Sequence, residues 1–200
     1  MKSFYNYSNY IFDFDNTLFH EIDYLKIGYS KISKFLESNS DLKSHQIYDF
    51  LYLTFLNEGR KNLFNKLFTK FNINPNKLKS ILEILRSFES EKKFNLYPKS
   101  YKILKKLIEL NKLIFIITNG NQVQQNNKIK MTNWMNIKHN LKFILANDFE
   151  KKPSNLSFKY IEEKFSLKLN KTIMIGDSSI DEEFALNCSI DFINIKNLRL

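Results

Sequence analysis

The sequence predicts an α/β fold, a parallel sheet covered by helices on both faces, with a block of helices inserted after the first strand. Short, almost wholly apolar runs such as Leu113-Ile114-Phe115-Ile116-Ile117 alternate with stretches of helical spacing, the pattern of strands buried on both faces. These runs stop at polar residues: at Asp13 and Asp15, at Thr118-Asn119-Gly120 and at Gly176-Asp177. Open α/β sheets bind ligands outside the carboxyl ends of their strands, so the polar stops are expected to meet in one site. Residues from about 20 to 93 show helical spacing and almost no strand signal, which sets the inserted block apart.

In order, the first strand is read over Asn9–Leu18, an apolar run that ends at two carboxylates. Alternation along a strand points Asp13 and Asp15 one way and Phe12 and Phe14 the other. Two unit charges about 4 Å apart at an effective dielectric of ~20 interact by roughly 4 kcal/mol, so such a pair shares a proton or recruits a cation. The plainer reading is a turn capped by acids. Ile22, Leu25, Tyr29, Ile32 and Leu36 then mark one face of a helix, and Ile47–Leu56 and Leu63–Phe71 follow, divided by Gly59-Arg60. Pro75 opens a fourth helix that buries Leu78, Ile81, Leu82 and Leu85.

From Tyr97-Pro98 helices and strands alternate. Tyr101, Leu104, Leu107 and Ile108 form a helix before the strand Leu113–Ile117, and a polar helix runs from about Gln122 to Thr132. Next come the strand Phe143–Ala146, a helix capped by Ser154, the strand Thr172–Ile175, the helix Ile180–Asn187 and a last strand Phe192–Ile195. The expected division is a core of residues 1–19 and 96–200 with an all-helical insertion of residues 20–95.

Composition narrows the function. Aliphatic and aromatic residues make up 43% of the chain, enough for a packed core. A single cysteine, Cys188, can form no internal disulfide, which fits a reducing, cytoplasmic setting. Met1–Tyr7 lacks the apolar stretch of a signal peptide, and the longest purely apolar run, Leu113–Ile117, is too short to cross a bilayer, so no membrane partner is expected. The net charge of +10 comes from lysines scattered through nearly every segment, which counts against a nucleic-acid surface but favours encounter with a phosphorylated substrate.

The polar stops carry the chemistry. Asp13 is placed to attack an electrophile and Asp15 to exchange a proton with the attacking or leaving oxygen. Thr118 offers a hydroxyl, and Asn119 and Gly120 offer backbone N–H groups where no side chain need crowd an anion. Lys152 precedes Pro153, which holds it extended and can aim it inward; Lys151 competes for that role. Asp177 ends a strand, and Asp181 can face the same way from the first turn of the next helix, although an acid there also caps a helix. Four acids in one crevice would not stay ionised without a cation, and an all-oxygen site suits Mg2+.

Asp13-Phe14-Asp15-Asn16-Thr17-Leu18, Thr118-Asn119-Gly120, Lys152-Pro153 and Gly176-Asp177-Ser178-Ser179-Ile180-Asp181 resemble, in order, the four motifs of the haloacid dehalogenase superfamily. The resemblance implies a Rossmann-like core with a helical cap inserted between the first and second motifs. It implies further that Asp13 is a nucleophile forming an aspartyl-phosphate and Asp15 the general acid and then base. Asp13, the Asp15 carbonyl and Asp177 would hold Mg2+ with Asp181 in support, while Thr118, Asn119, Gly120 and Lys152 would hold the phosphoryl group. Asp15 argues for a phosphatase or phosphomutase over a carbon–halogen hydrolase.

The expected substrate is a small phosphorylated metabolite such as a sugar phosphate or nucleoside monophosphate, with Arg60, His20 and Glu21 as candidate cap contacts. A phosphomutase, or a basic nucleic-acid-end phosphatase or binding protein, is the alternative. A monomer or homodimer is expected.

Overall fold

A computed structural model of the chain describes residues 4–38 and 40–198; the first three and last two residues of the expected core, and Asn39 of the expected insertion, lie outside the described residues. Five parallel strands form the main sheet: β1 (Asn9–Phe12), β3 (Leu113–Thr118), β5 (Leu141–Leu145), β6 (Thr172–Gly176) and β7 (Asp191–Asn194), in the order β5-β3-β1-β6-β7. The chain builds outward from β1 through β3 to β5, then crosses back to place β6 on the other flank of β1. Phe12, the last residue of β1, is level with Ile116 of β3 and Ile175 of β6, so the segments beyond those three strands emerge side by side at the point where the winding reverses.

Strand alternation divides the core. Tyr10, Phe12, Ile114, Ile116, Ile173 and Ile175 enter one apolar cluster, while Ile11, Phe115, Ile117 and Met174 enter the other, on the opposite face. The second cluster is closed by α7 (Leu156–Phe165) and α8 (Ser179–Asn187) through Phe158, Ile161 and Phe184. The first is continuous with α5 (Pro98–Glu109) and with the helices between β1 and α5: α1 (Glu21–Glu37), α2 (Ser44–Glu58), α3 (Leu63–Phe71) and α4 (Leu78–Ser87). Tyr24 ties this helical block together, donating its hydroxyl to the Leu85 carbonyl at 2.8 Å. Asn127 of α6 (Gln122–Met131) reaches the Phe88 carbonyl at 2.8 Å and links the block to the core.

Several boundaries differ from the sequence reading. β1 stops at Phe12 and does not run on to Leu18, because Asn16 takes a left-handed conformation (φ 59°) and the Leu18 N–H turns back to the Phe14 carbonyl at 2.9 Å. Strand alternation therefore ceases to govern the side chains after Asp13. Pro75 opens a short 3-10 turn, Pro75–Lys77, that leads into α4. Asn155, not Ser154, occupies the position before α7; the Ser154 hydroxyl accepts only a long 3.4 Å bond from the Leu156 N–H. A two-stranded parallel pair, β2 (Phe94–Asn95) with β4 (Thr132–Asn133), has no counterpart in the sequence reading, since two-residue strands carry no periodicity.

The two passages between sheet and helical block are pinned to each other. The Tyr97 N–H donates to the Leu18 carbonyl at 2.8 Å, and the Tyr97 hydroxyl meets His20 Nδ1 at 2.8 Å. Asn16 Oδ1 accepts the Glu21 N–H at 3.2 Å and so satisfies a free donor at the start of α1.

Candidate active site at the carboxyl edge of the sheet

Asp13 follows β1 directly, and its N–H continues the ladder by donating to the Ile175 carbonyl at 2.9 Å. Its backbone is thereby fixed by the neighbouring strand. Across from it, the loop before α7 delivers Lys152, only 3% exposed, while Lys151 is exposed. Lys152 Nζ donates to Asp13 Oδ1 and to Asp181 Oδ1, both at 2.6 Å. Asn119 builds this contact from below: its Oδ1 accepts the Lys152 N–H at 2.7 Å and its Nδ2 donates to the Lys152 carbonyl at 2.9 Å, gripping the loop on both sides of one residue. Asn119 thus acts through its side chain as well as through the turn it occupies.

Asp181 performs both tasks weighed from the sequence. Its Oδ2 accepts the Ser178 N–H at 3.2 Å and the Ser178 hydroxyl at 2.6 Å, completing a capping box for α8, while Oδ1 faces Lys152. Gly176 makes this approach possible, for a Cβ there would lie 2.4 Å from Asp181 Cβ. One carboxylate oxygen each from Asp13, Asp177 and Asp181 lies within 4.8 Å of the others, an all-oxygen donor set that could hold a metal ion. Burial pushes the Asp13 carboxyl up to about 7, with Asp181 adding to the rise and Lys152 opposing it. Burial and Asp181 likewise raise Asp177. For Lys152, burial disfavours the cation, but Asp13 and Asp181 outweigh it and hold the ammonium above its usual value. One lysine among three acids leaves excess negative charge for a cation to meet.

Thr118, at the end of β3, is 2% exposed, and its hydroxyl lies 3.3 Å from the Asn119 carbonyl. The Gly120 N–H, expected to be free for an anion, donates to Asn147 Oδ1 at 2.8 Å. Gly120 adopts φ 136°, a conformation side chains resist, and a Cβ there would lie 2.5 Å from Gln125 Nε2.

Asp15 lies near enough to add to the rise at Asp13, but its carboxylate is bound outside this trio. Both its carboxylate oxygens bind Lys128 Nζ, at 2.7 and 2.8 Å, and Oδ2 also accepts Gln125 Nε2 at 3.1 Å. Lys128, 1% exposed, gives its third hydrogen bond to Glu21 Oε1 at 2.9 Å, and Glu21 Oε2 pairs with Arg60 Nη2. Burial pushes the Asp15 carboxyl above its usual value against the pull of Lys128. For Glu21, burial is outweighed by Lys128 and Arg60, which hold it below the usual carboxylate range. Arg60 and Glu21 are therefore tied to Asp15 through Lys128, while His20 is exposed and turned to Tyr97.

Lys128 and Gln125 escaped the sequence reading because α6 reads as a polar helix. Their signal was present: Gln125, Lys128, Ile129 and Met131 recur at three- and four-residue steps and form the buried stripe of that helix.

The sequence profile of the haloacid dehalogenase-like hydrolases matches residues 10–195, from β1 to the end of the sheet. The chain belongs to this family. No curated protein matches the sequence. Among solved structures, a haloacid dehalogenase-like hydrolase fold recurs in the magnesium-bound candidate HAD-hydrolase YfnB of Bacillus subtilis, 16% identical with a TM-score of 0.64, over 94% of this chain and 86% of that one. A candidate phosphatase of Clostridium difficile is 22% identical with a TM-score of 0.63, covering 94% and 85%. A hydrolase of Streptococcus pneumoniae TIGR4 is 16% identical with a TM-score of 0.61, covering 94% and 92%. The protein is thus a haloacid dehalogenase-like hydrolase, and among the described residues no helix is long and apolar enough to cross a membrane.

Proposed function

We propose that this hydrolase is a Mg2+-dependent phosphatase that cleaves a small phosphorylated metabolite, such as a sugar phosphate or nucleoside monophosphate, through an aspartyl-phosphate. The observation that carries the reading is the bridge from Lys152 Nζ to Asp13 and Asp181 inside the acidic trio. It sets a buried nucleophile beside a fixed cation and beside carboxylates able to take a metal, which is the positioning and charge compensation that phosphoryl transfer demands.

In this mechanism an Asp13 carboxylate oxygen attacks phosphorus, a bond from Asp13 to phosphorus forms, and the ester oxygen leaves. Asp15, an ionised partner of Lys128 in the resting site, takes up a proton once that grip is released, burial favouring the protonated form, and gives it to that oxygen. Water then attacks the aspartyl-phosphate and returns a proton to Asp15, releasing inorganic phosphate and restoring Asp13. Lys152 offsets charge on the transferring group, and Thr118 offers its hydroxyl to a phosphoryl oxygen. Asp13, the Asp15 carbonyl and Asp177, supported by Asp181, would hold Mg2+, which when bound supplies positive charge against the phosphoryl oxygens. The helices of residues 20–95 serve as the cap in this reading, with Arg60 and Glu21 at its substrate face.

The test is release of inorganic phosphate from p-nitrophenyl phosphate with Mg2+, and its loss on chelation. Asp13→Asn should lower turnover by ~10³-fold or more while the protein stays folded by circular dichroism. Turnover by the Asn variant within a few-fold of the parent would remove Asp13 as nucleophile.

A further inference from the structure

Asp15, Lys128, Glu21 and Arg60 form a chain of alternating charge that starts at the proposed proton donor and ends in a cleft of the helical block. The two middle members are enclosed, with Lys128 at 1% and Glu21 at 3% side-chain exposure; Asp15 is partly exposed at 17%, and the Arg60 side chain is 70% exposed. Arg60 and Glu21 line a cleft of about 210 Å3 whose remaining wall includes Leu25, Tyr29, Phe55 and Phe64. Apolar and aromatic walls with a single guanidinium suit an organic body that bears one anionic group, since arginine grips carboxylates and phosphates through paired donors.

Neighbouring members of the chain share their contacts. Lys128 spends two contacts on Asp15 and one on Glu21, and Glu21 divides its charge between Lys128 and Arg60. How firmly Lys128 grips Asp15 therefore depends on how much of Glu21 is taken up by Arg60. An anion that draws Arg60 away returns the whole Glu21 carboxylate to Lys128, and the ammonium then relaxes its hold on Asp15. Gln125 is hydrogen bonded to the Asp15 carboxylate and to the Asn119 carbonyl, and so links Asp15 to the turn that holds Lys152.

We propose that this relay makes delivery of the Asp15 side chain depend on an anionic group in the leaving half of the substrate, read by Arg60. The inference rests on the phosphatase reading and deepens it: the substrate class becomes phosphomonoesters whose alcohol carries a carboxylate or a second phosphate. Arg60 is here a specificity residue and Lys128 a positioning residue that acts through Asp15.

The experiment compares butyl phosphate with the same ester ending in a carboxylate, measuring kcat and KM separately at saturating Mg2+. The parent should show a kcat about tenfold higher for the carboxylated ester, within the usual range of coupling between sites. Arg60→Gln, a change at an exposed side chain, should raise kcat for butyl phosphate about tenfold toward the carboxylated value while raising KM for the carboxylated ester. That increase is the decisive reading, because losing an arginine that merely binds an anion in the leaving half has no means of speeding hydrolysis of an ester whose alcohol carries no charge. Equal kcat for both esters in the parent, or an unchanged butyl phosphate kcat in Arg60→Gln, overturns the relay and leaves the phosphatase reading standing. Absence of phosphate release from these esters and from p-nitrophenyl phosphate alike would overturn the phosphatase reading, and the relay with it.

Discussion

Two buried lysines, Lys152 and Lys128, each hold two carboxylates within a few ångströms of one another, yet their surroundings differ in one decisive respect. Lys152 stands among Asp13, Asp177 and Asp181, one positive charge against three negative, all delivered by core segments at the carboxyl edge of the sheet. Lys128 stands between Asp15 and Glu21, and Arg60 completes a neutral set that runs from the core into the helical block. The first cluster is short of positive charge and can use a divalent ion; the second is balanced and has no use for one. Charge arithmetic thus separates a centre that could hold a metal from one balanced by the protein's own side chains.

The largest effects should come from removing either lysine. Lys152→Met and Lys128→Met each strand two buried carboxylates, and breaking a buried pair in this way costs about 3–5 kcal/mol. Urea denaturation would show both losses in the absence of metal. The comparison lies in the response to Mg2+: at ~100-fold over its Kd the ion should restore about 2.7 kcal/mol to Lys152→Met by binding the folded state, and little or nothing to Lys128→Met. Equal recovery of both variants would erase the distinction between the clusters.

The same contrast explains what could be read from the chain. The three central strands announced themselves because each is an apolar run ending in a polar stop; Asp13 and Asp177 sit at two of those stops, where sheet topology brings them together, and Asp181 joins them from the first turn of α8. Lys152 was marked by its proline, with Lys151 competing; the grip of Asn119 on its backbone was not legible, because it joins residues 33 apart. Lys128 was hidden, because its partners lie 113 and 107 residues away in sequence, and no periodicity states which residue of α6 will face which residue of α1. The separation of Asp15 from the trio was hidden too. It follows from the left-handed turn at Asn16, a single backbone conformation that ended the strand earlier than the alternating pattern suggested. Arg60 could be marked as a candidate by its place between two helices, but its pairing with Glu21 depends on how α1 packs near the start of α3, a tertiary matter.

A smaller effect tests whether Asp181 belongs to the metal centre as well as to the α8 cap. Asp181→Asn keeps an acceptor for Ser178 and so preserves much of the capping box, yet it removes one charge from the trio and one partner from Lys152. Weakening the support of a metal site typically costs ~10–100-fold in affinity, so the Mg2+ concentration for half-maximal activity should rise by that factor. Thermal stability without metal should change little by comparison, because the variant also relieves repulsion among the acids. If the Mg2+ requirement were unmoved and only stability fell, Asp181 would be a helix cap alone.

The smallest effect concerns pH and follows from the excess negative charge of the trio. Burial raises the Asp13 carboxyl to about 7 in the folded protein, above its ordinary value of 3.8. The folded chain therefore binds a proton there that the unfolded chain has already released, and the associated stability is fully present below the ordinary value and lost as pH rises through about 7. Mg2+ competes for the same carboxylate, so its stabilising effect should grow in the opposite direction, from pH 6 to pH 8. A difference of about 1 kcal/mol between those limits would appear as a Tm shift of roughly 2–4 °C for a chain of this size. Lys128→Ala or Arg60→Gln should leave that pH trend in place, because the neutral relay contributes no carboxylate to the ion. A trend abolished by either substitution would mean that the two lysine centres titrate as one, and the separation drawn from their charge balance would fail.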